Sequence, residues 1–297
     1  MTCAVSGGAD SLALLVLARA ARLAVTVVHV DHGLRPGSAA ETELVAAAAE
    51  RFGAGFVALQ VEVEAGPNLE ARARAARYGA LPDGVLTGHT ADDQAETVLL
   101  NLLRGSGLAG LAGMRAEATR PGGARLTRPL LALRRSDTEA VCTGAGLLPF
   151  ADPSNADPRH RRNRIRHELL PLLDDIAERD VAGLLAREAD VLRADHDLLD
   201  VLAAGIDPTD ARALTAAPAP LARRAVRQWL TPALGGRPPD AATVERVLAV
   251  ARTEVVACEV SGGARIERHG MRLSLTAPDR GQDGRPGSAS VKGRPLR

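Results

Sequence analysis

The chain has 297 residues, room for about two domains with cores of their own, and its 37 basic and 36 acidic residues leave a net charge of only +1. Its three cysteines, Cys3, Cys142 and Cys258, are odd in number and far apart. That excludes a disulfide scaffold, a Cys-rich zinc module and a CxxC redox site, and predicts a reducing, cytoplasmic setting. No uncharged apolar run approaches the ~18 residues a membrane helix needs, and the N-terminus lacks the basic-then-apolar pattern of a signal peptide.

In chain order, Cys3–Val5 reads as the end of a strand and Asp10–Arg22 as a helix apolar on most sides. Ala24–Val30 is a buried strand, Ala39–Phe52 an alanine-rich helix, Phe56–Val63 a strand, Leu69–Leu81 a helix and Gly84–Thr87 a short strand. Asp92–Arg104 is a helix with acids in its first turn, as the helix dipole prefers. Gly105–Gly113 reads as a loop, Leu126–Leu130 as a strand, Ser136–Gly144 as a helix and Pro149–Pro158 as a loop. Arg162–Leu202 reads as mostly helical. A smaller unit follows, with helices over Leu221–Leu230 and Ala241–Arg252 and strands over Glu254–Val260, Ala264–Arg268 and Met271–Leu275. From Ala277 to Arg297 no apolar pattern remains, and disorder is expected. The strand–helix alternation of the first half predicts a parallel α/β sheet with ligands at the strand C-termini.

Ser6-Gly7-Gly8-Ala9-Asp10-Ser11 follows the first strand and opens the first helix. Glycines let backbone N–H groups crowd a phosphate, the helix N-terminus adds a positive dipole end, and the serine hydroxyls can donate. The bland alternative is a Gly-Gly turn with Asp10 as helix cap. The pattern is neither GxxxxGK[ST] nor GxGxxG. With Lys292 as the single lysine, phosphate-loop lysine and Schiff-base chemistry are excluded.

The loop resembles the pyrophosphate loop of the N-type ATP pyrophosphatases, the PP-loop superfamily. Four further stretches resemble one branch of it, the tRNA(Ile)-lysidine synthetases: His29–Arg35 (HVDHGLR); Asn68–Tyr78 (NLEARARAARY); Thr87–Thr97 (TGHTADDQAET) running on to Arg104-Gly105-Ser106-Gly107; and Arg128-Pro129-Leu130-Leu131 with Asp152-Pro153-Ser154-Asn155 and Arg162-Asn163-Arg164-Ile165-Arg166. Together they span about residues 3–173. The family usually has a longer lead before the glycine loop, so either the start lies upstream or the first strand is clipped. The resemblance implies an adenine nucleotide alpha hydrolase-like PP-loop domain over residues 1–180. A helical linker and small mixed helical/β tRNA-binding domain would cover 181–276, and a disordered tail 277–297.

By the same resemblance, the wobble cytidine of a tRNA(Ile) with a CAU anticodon attacks the α-phosphate of ATP through its 2-oxygen. Pyrophosphate leaves into the glycine loop, free L-lysine attacks the activated carbon through its ε-amine, and AMP departs. Mg²⁺ is expected with ATP, and a homodimer is a further expectation. Ser6, Gly7, Gly8, Ala9, Asp10 and Ser11 would bind ATP. Asp10, His89, Asp92, Asp93, Glu96, Arg74, Arg77 and Arg104 would carry catalysis, with Asp10 and Asp93 on the metal.

The residues themselves leave alternatives. Asp92 and Glu96 at i,i+4, and Asp93 and Glu96 at i,i+3, place carboxylates on one helical face after His89. Such acids hold Mg²⁺, bind a lysine ammonium, or merely cap the helix. Arg72, Arg74 and Arg77 form a basic face, either solvated or facing phosphate, and Arg104 has the same ambiguity. His29, Asp31 and His32 crowd the end of a strand, either as ligands or as satisfied loop groups. Arg159–His167 holds five arginines, two histidines and no acid. Either it is a solvated helix end, or Arg162, Arg164 and Arg166 contact tRNA phosphates. The five aromatics are too few for a base-stacking platform. Two rivals remain: a 2-thiocytidine synthetase, which would need paired cysteines, and a non-catalytic ATP- or RNA-binding protein.

Overall fold

The computed structural model describes residues 1–31, 38–61, 69–120, 122–150 and 157–276. The chain divides into two compact units, Met1–His196 and Asp197–Arg297.

In the first unit, strand β1 (Thr2–Ala4) is only three residues long yet sits at the centre of the sheet. It pairs in parallel with β2 (Thr26–Asp31) on one side and β4 (Val85–Thr87) on the other. β3 (Gly55–Gln60) lies outside β2, and β6 (Arg125–Thr127) outside β4, all parallel. β5 (Glu117–Thr119) closes that edge antiparallel, giving the order β3-β2-β1-β4-β6-β5.

Helices cover both faces. Helices α1 (Ala9–Ala20), α2 (Ser38–Arg51) and α6 (Arg135–Gly144) supply Leu12, Leu15, Val45 and Cys142 to one core, under Cys3, Val5 and Val27. On the other face Val28, Val85 and Leu126 pack with Leu81 and Tyr78, the latter on α3 (Leu69–Ala80). Helix α4 (Ala91–Leu103) buries Ala95 and Leu99 against Ile165, Leu170 and Ala182. The chain runs outward from β1 to β3 and then returns to β4, so the strand order reverses between β1 and β4. In an open α/β sheet that reversal opens the ligand crevice at the strand C-termini.

Gly105–Gly113, expected as a loop, contains the short helix α5 (Leu108–Leu111). From Arg161 to Ala177 the helix is interrupted: α7 (Arg161–Arg164) passes into a π-helical turn (Ile165–Leu169) and then α8 (Leu170–Ala177). Pro171 has no amide hydrogen to give to the carbonyl one turn back. The turn before it widens, and the Leu170 amide bonds to the Ile165 carbonyl. The long helix α9 (Val181–Ala204) runs through the division between the units.

The second unit holds α10 (Ala211–Ala216), α11 (Ala219–Ala233), α12 (Ala241–Ala251) and an antiparallel sheet ordered β7 (Ala257–Val260), β8 (Ala264–His269), β9 (Arg272–Thr276). Its core comprises Leu214, Val226, Leu230, Val244, Val247, Ile266 and Leu273. Asp210 and Asp240 cap α10 and α12, accepting from the Arg212 and Thr243 amides at 2.8 and 2.7 Å. No described helix is long and apolar enough to cross a membrane. The stretch 277–297, expected to be disordered, lies outside the described residues.

Candidate active site

The glycine loop is pinned by its own serines. The Ser6 amide donates to Ser11 Oγ at 3.1 Å, and that hydroxyl donates to the Gly8 carbonyl at 2.9 Å. Gly7 has φ +83°, a conformation side chains rarely adopt, and a Cβ there would lie 3.3 Å from Glu41 Cγ. Its carbonyl accepts from the Phe150 amide at 2.9 Å. Gly8 is the extended N-cap of α1, so the loop ends on the positive end of a helix dipole.

Gly88, just past β4, brings the second motif against the first. A Cβ on Gly88 would fall 2.5 Å from the Asp10 carbonyl oxygen and 2.9 Å from the Ser11 nitrogen. Glycine alone lets the end of β4 lie against the first turn of α1. The chain then turns into α4, where the Thr90 amide donates to Asp93 Oδ2 at 2.9 Å. Asp10, Asp93 and Glu96 are thereby gathered at the switch point, with Asp92 on the same turn of α4.

Four arginines answer these four acids. Arg134 grips Asp92 with two bonds, at 3.1 and 2.9 Å, and also pairs with Asp180. Arg135 Nε lies 3.3 Å from Asp10 Oδ2, its Nη2 3.4 Å from Asp93 Oδ1 and its Nη1 3.6 Å from Glu96 Oε1. Arg162 donates to Glu96 Oε2 at 2.5 Å and to Asp93 Oδ1 at 3.1 Å, and Arg166 to Glu96 Oε1 at 2.6 Å. Glu96 has no exposed side-chain surface. The hydroxyl of Thr138 donates to Asp10 Oδ1 at 2.5 Å.

The acids are tuned in opposite directions. Burial pushes the Asp10 carboxyl above its ordinary value, and the Thr138 hydroxyl and Arg135 only partly offset it. For Asp92, burial acts upward but is outweighed by the Arg134 fork and the Arg135 amide, so the net direction is down. Asp93 is likewise held low, burial being outweighed chiefly by Arg162 and Arg135.

His89 sits between two hydroxyls. The Thr87 hydroxyl donates to the Thr127 carbonyl at 3.4 Å, so it accepts from His89 Nδ1 at 2.9 Å. Nε2 lies 3.3 Å from the Tyr78 hydroxyl.

The other expected residues lie as follows. Arg77 lies over the Tyr78 ring at 5.7 Å, and the exposed Arg104 is the C-cap of α4. Arg74 belongs to α3, with its side chain outside the described residues. His29 is buried, its Nδ1 bonded to the Val5 carbonyl at 2.8 Å beneath the glycine loop, which is a satisfied core role. Asp31 ends β2. His32, Asn68, Asp152, Ser154 and Asn155 fall outside the described residues. The exposed Arg164 is forked onto Glu168, whereas Arg162 and Arg166 turn toward Glu96.

Sequence reasoning missed Arg134, Arg135 and Thr138. The signal was charge balance: acids gathered at one crevice require counter-charges, and Arg134-Arg135 begin three residues after the Arg128–Leu131 motif ends.

A family of PP-loop domains matches residues 1–173. The tRNA(Ile)-lysidine synthase of Nocardia farcinica is 44% identical over 294 residues, covering 94% of this chain and 89% of that protein. The tRNA(Ile)-lysidine synthase of Mycobacterium tuberculosis (strain H37Rv) is 48% identical over 242 residues, covering 76% of this chain and 73% of that protein. Among solved structures, the U34-tRNA thiolase NcsA of Methanococcus maripaludis, with its [4Fe-4S] cluster, superposes at a TM-score of 0.52. It is 16% identical and covers 65% of this chain and 72% of that one, a likeness of fold alone. With a PP-loop match across more than half its length and relatives this similar along most of theirs, the chain belongs to the tRNA(Ile)-lysidine synthase family.

Proposed function

We propose that this chain ligates L-lysine to the 2-position of the wobble cytidine in a tRNA(Ile) with a CAU anticodon, using ATP and releasing AMP and pyrophosphate. The observation that carries the reading is the meeting, through Gly88, of the glycine loop and the acidic turn of α4 at the switch point of the sheet. Backbone N–H groups at the start of α1 receive the departing pyrophosphate, and the arginines of the cluster offset its charge. The catalytic contribution is mainly positioning and charge stabilisation.

Asp10 and Asp93 suit Mg²⁺, which is commonly held by one or two carboxylates together with substrate phosphates. Arg135 already places one cation between these two carboxylates, at 3.3 and 3.4 Å, so the position accepts positive charge. Bound there with ATP, the ion would neutralise charge developing on the phosphates. The lysine ε-amine, with an ordinary pKa of about 10.4, must lose a proton before it attacks. His89, held between the Thr87 and Tyr78 hydroxyls, suits that role, while Asp92 or Glu96 would hold the ammonium.

Arg162 and Arg166 belong by this reading to the reaction centre. The exposed Arg161 and Arg164 are left for tRNA phosphate, and the second unit for tRNA binding, in a cytoplasmic enzyme. A thiolation reading finds no support in the cysteines. Burial pushes the Cys3 thiol up to about 11 and raises Cys142 and Cys258 as well, which disfavours the reactive thiolate.

The test supplies ATP, radiolabelled lysine and unmodified tRNA with a CAU anticodon. Lysine should enter the tRNA with one AMP and one pyrophosphate per lysine. A folded enzyme that incorporates none would overturn the assignment.

A further inference from the structure

We infer that Arg135 is a built-in counter-cation that keeps the metal position closed until nucleotide arrives, then exchanges its carboxylates for phosphate. The inference rests on the assignment of Asp10 and Asp93 to Mg²⁺.

The four arginines are not held alike. Arg134 has a two-bond fork on Asp92, and Arg162 and Arg166 hold Glu96 at 2.5 and 2.6 Å while also reaching Asp93 Oδ1 at 3.1 and 3.7 Å. Arg135 instead reaches three different acids at 3.3, 3.4 and 3.6 Å, with no short or paired contact to any of them. Its backbone is fixed, the amide donating to Asp92 Oδ2 at 2.7 Å at the start of α6. The root is therefore anchored while the head is shared among acids, and 22% of the side chain reaches solvent.

Charge balance supplies the direction. Asp10, Asp93 and Glu96 are matched by Arg135, Arg162 and Arg166 without any added cation, while Arg134 is shared by Asp92 and Asp180. A dication entering beside an unmoved Arg135 would meet like charge within a few ångströms, which a partly buried site disfavours. A nucleotide removes that conflict, because a guanidinium fork matches phosphate oxygens. Arg135 moves to the phosphates and the metal takes its place between Asp10 and Asp93. Metal and ATP then bind cooperatively, each favouring the arginine position the other needs.

The experiment reads Mn²⁺ binding by electron paramagnetic resonance on the full chain without nucleotide. Wild type should bind Mn²⁺ weakly. Arg135→Gln and Arg135→Met should each bind it about tenfold to hundredfold more tightly, the size of one released charge-assisted contact. Arg135→Lys, which keeps the charge, should stay near wild type. An ATP analogue should tighten Mn²⁺ binding in wild type and much less in the neutral variants. Neutral variants that are folded by circular dichroism yet bind Mn²⁺ no more tightly than wild type would overturn the exchange. Asp10→Asn separates the two levels. If it leaves Mn²⁺ binding with the analogue unchanged, the metal assignment itself fails. If it weakens that binding while the neutral variants show no gain, only the role of Arg135 fails.

Discussion

Asp10, Asp92 and Asp93 are chemically one residue type, and the fold makes them different acids. Asp10 is held above the ordinary carboxylate range by burial, while Asp92 is held below it because the Arg134 fork and the Arg135 amide outweigh burial. The consequences for stability have opposite signs. A depressed folded value, as for Asp92, adds stability that is fully present above the unfolded value of about 3.9 and fades as pH falls through the folded one. A raised value, as for Asp10, makes ionisation cost stability, a cost absent at low pH and complete above the folded value. Replacing Asp92 with Asn should therefore lower stability at pH 7 by about 2 kcal/mol, the scale of charge-assisted bonds. The gap to wild type should narrow as pH falls from about 4 toward 2. Urea midpoints measured across that range check it, and a gap independent of pH would mean the Arg134 fork contributes nothing to the lowered value.

Elements differ in how far they could be read in advance, and the reason is where their stability originates. α4 and α12 carry apolar periodicity over eleven or more residues and α1 is a continuous apolar run after the glycine loop, so pattern alone places them to within a residue or two. β5 and α5 are three and four residues long and owe their form to β6 and to the packing after α4, which no local pattern records. The glycine loop and the acids of α4 were legible because each motif is contiguous. Arg135 was not, because its role is set by contacts with Asp10 and Asp93, far away in the chain. Gly88 shows the same point: its necessity lies in a neighbouring helix turn. Gly88→Ala should force backbone at Asp10 and Ser11 to shift, costing about 1–3 kcal/mol and weakening ATP binding. Gly79→Ala is the matched control, since nothing lies within 4 Å of its Cβ position in α3. That change should stabilise by about 0.5–1 kcal/mol with ATP affinity retained. Thermal unfolding and ATP titration of both variants distinguish a steric origin from a general intolerance of change.

Across the whole molecule, the two units have separate apolar cores, and the sparse aromatics offer a way to watch them apart. Trp229, the sole tryptophan, packs against the core of the second unit. Tyr78, the sole tyrosine, packs in the first unit beside Val28, Val85 and Leu126. The glycine loop, the acids of α4 and their arginines all belong to the first unit. A ligand bound there stabilises the fold it contacts by RT ln(1 + [L]/Kd), about 2.7 kcal/mol at a hundredfold excess over Kd. With Mg²⁺ and ATP at that excess, tyrosine fluorescence and the larger part of the far-ultraviolet circular dichroism change should move to higher denaturant. The transition seen through tryptophan fluorescence, excited at about 295 nm to spare tyrosine, should hold its midpoint if each core unfolds by its own balance of burial and chain entropy. Equal shifts in both signals would show instead that the units unfold as a single cooperative body, with α9, which runs from one into the other, as the covalent route of that coupling.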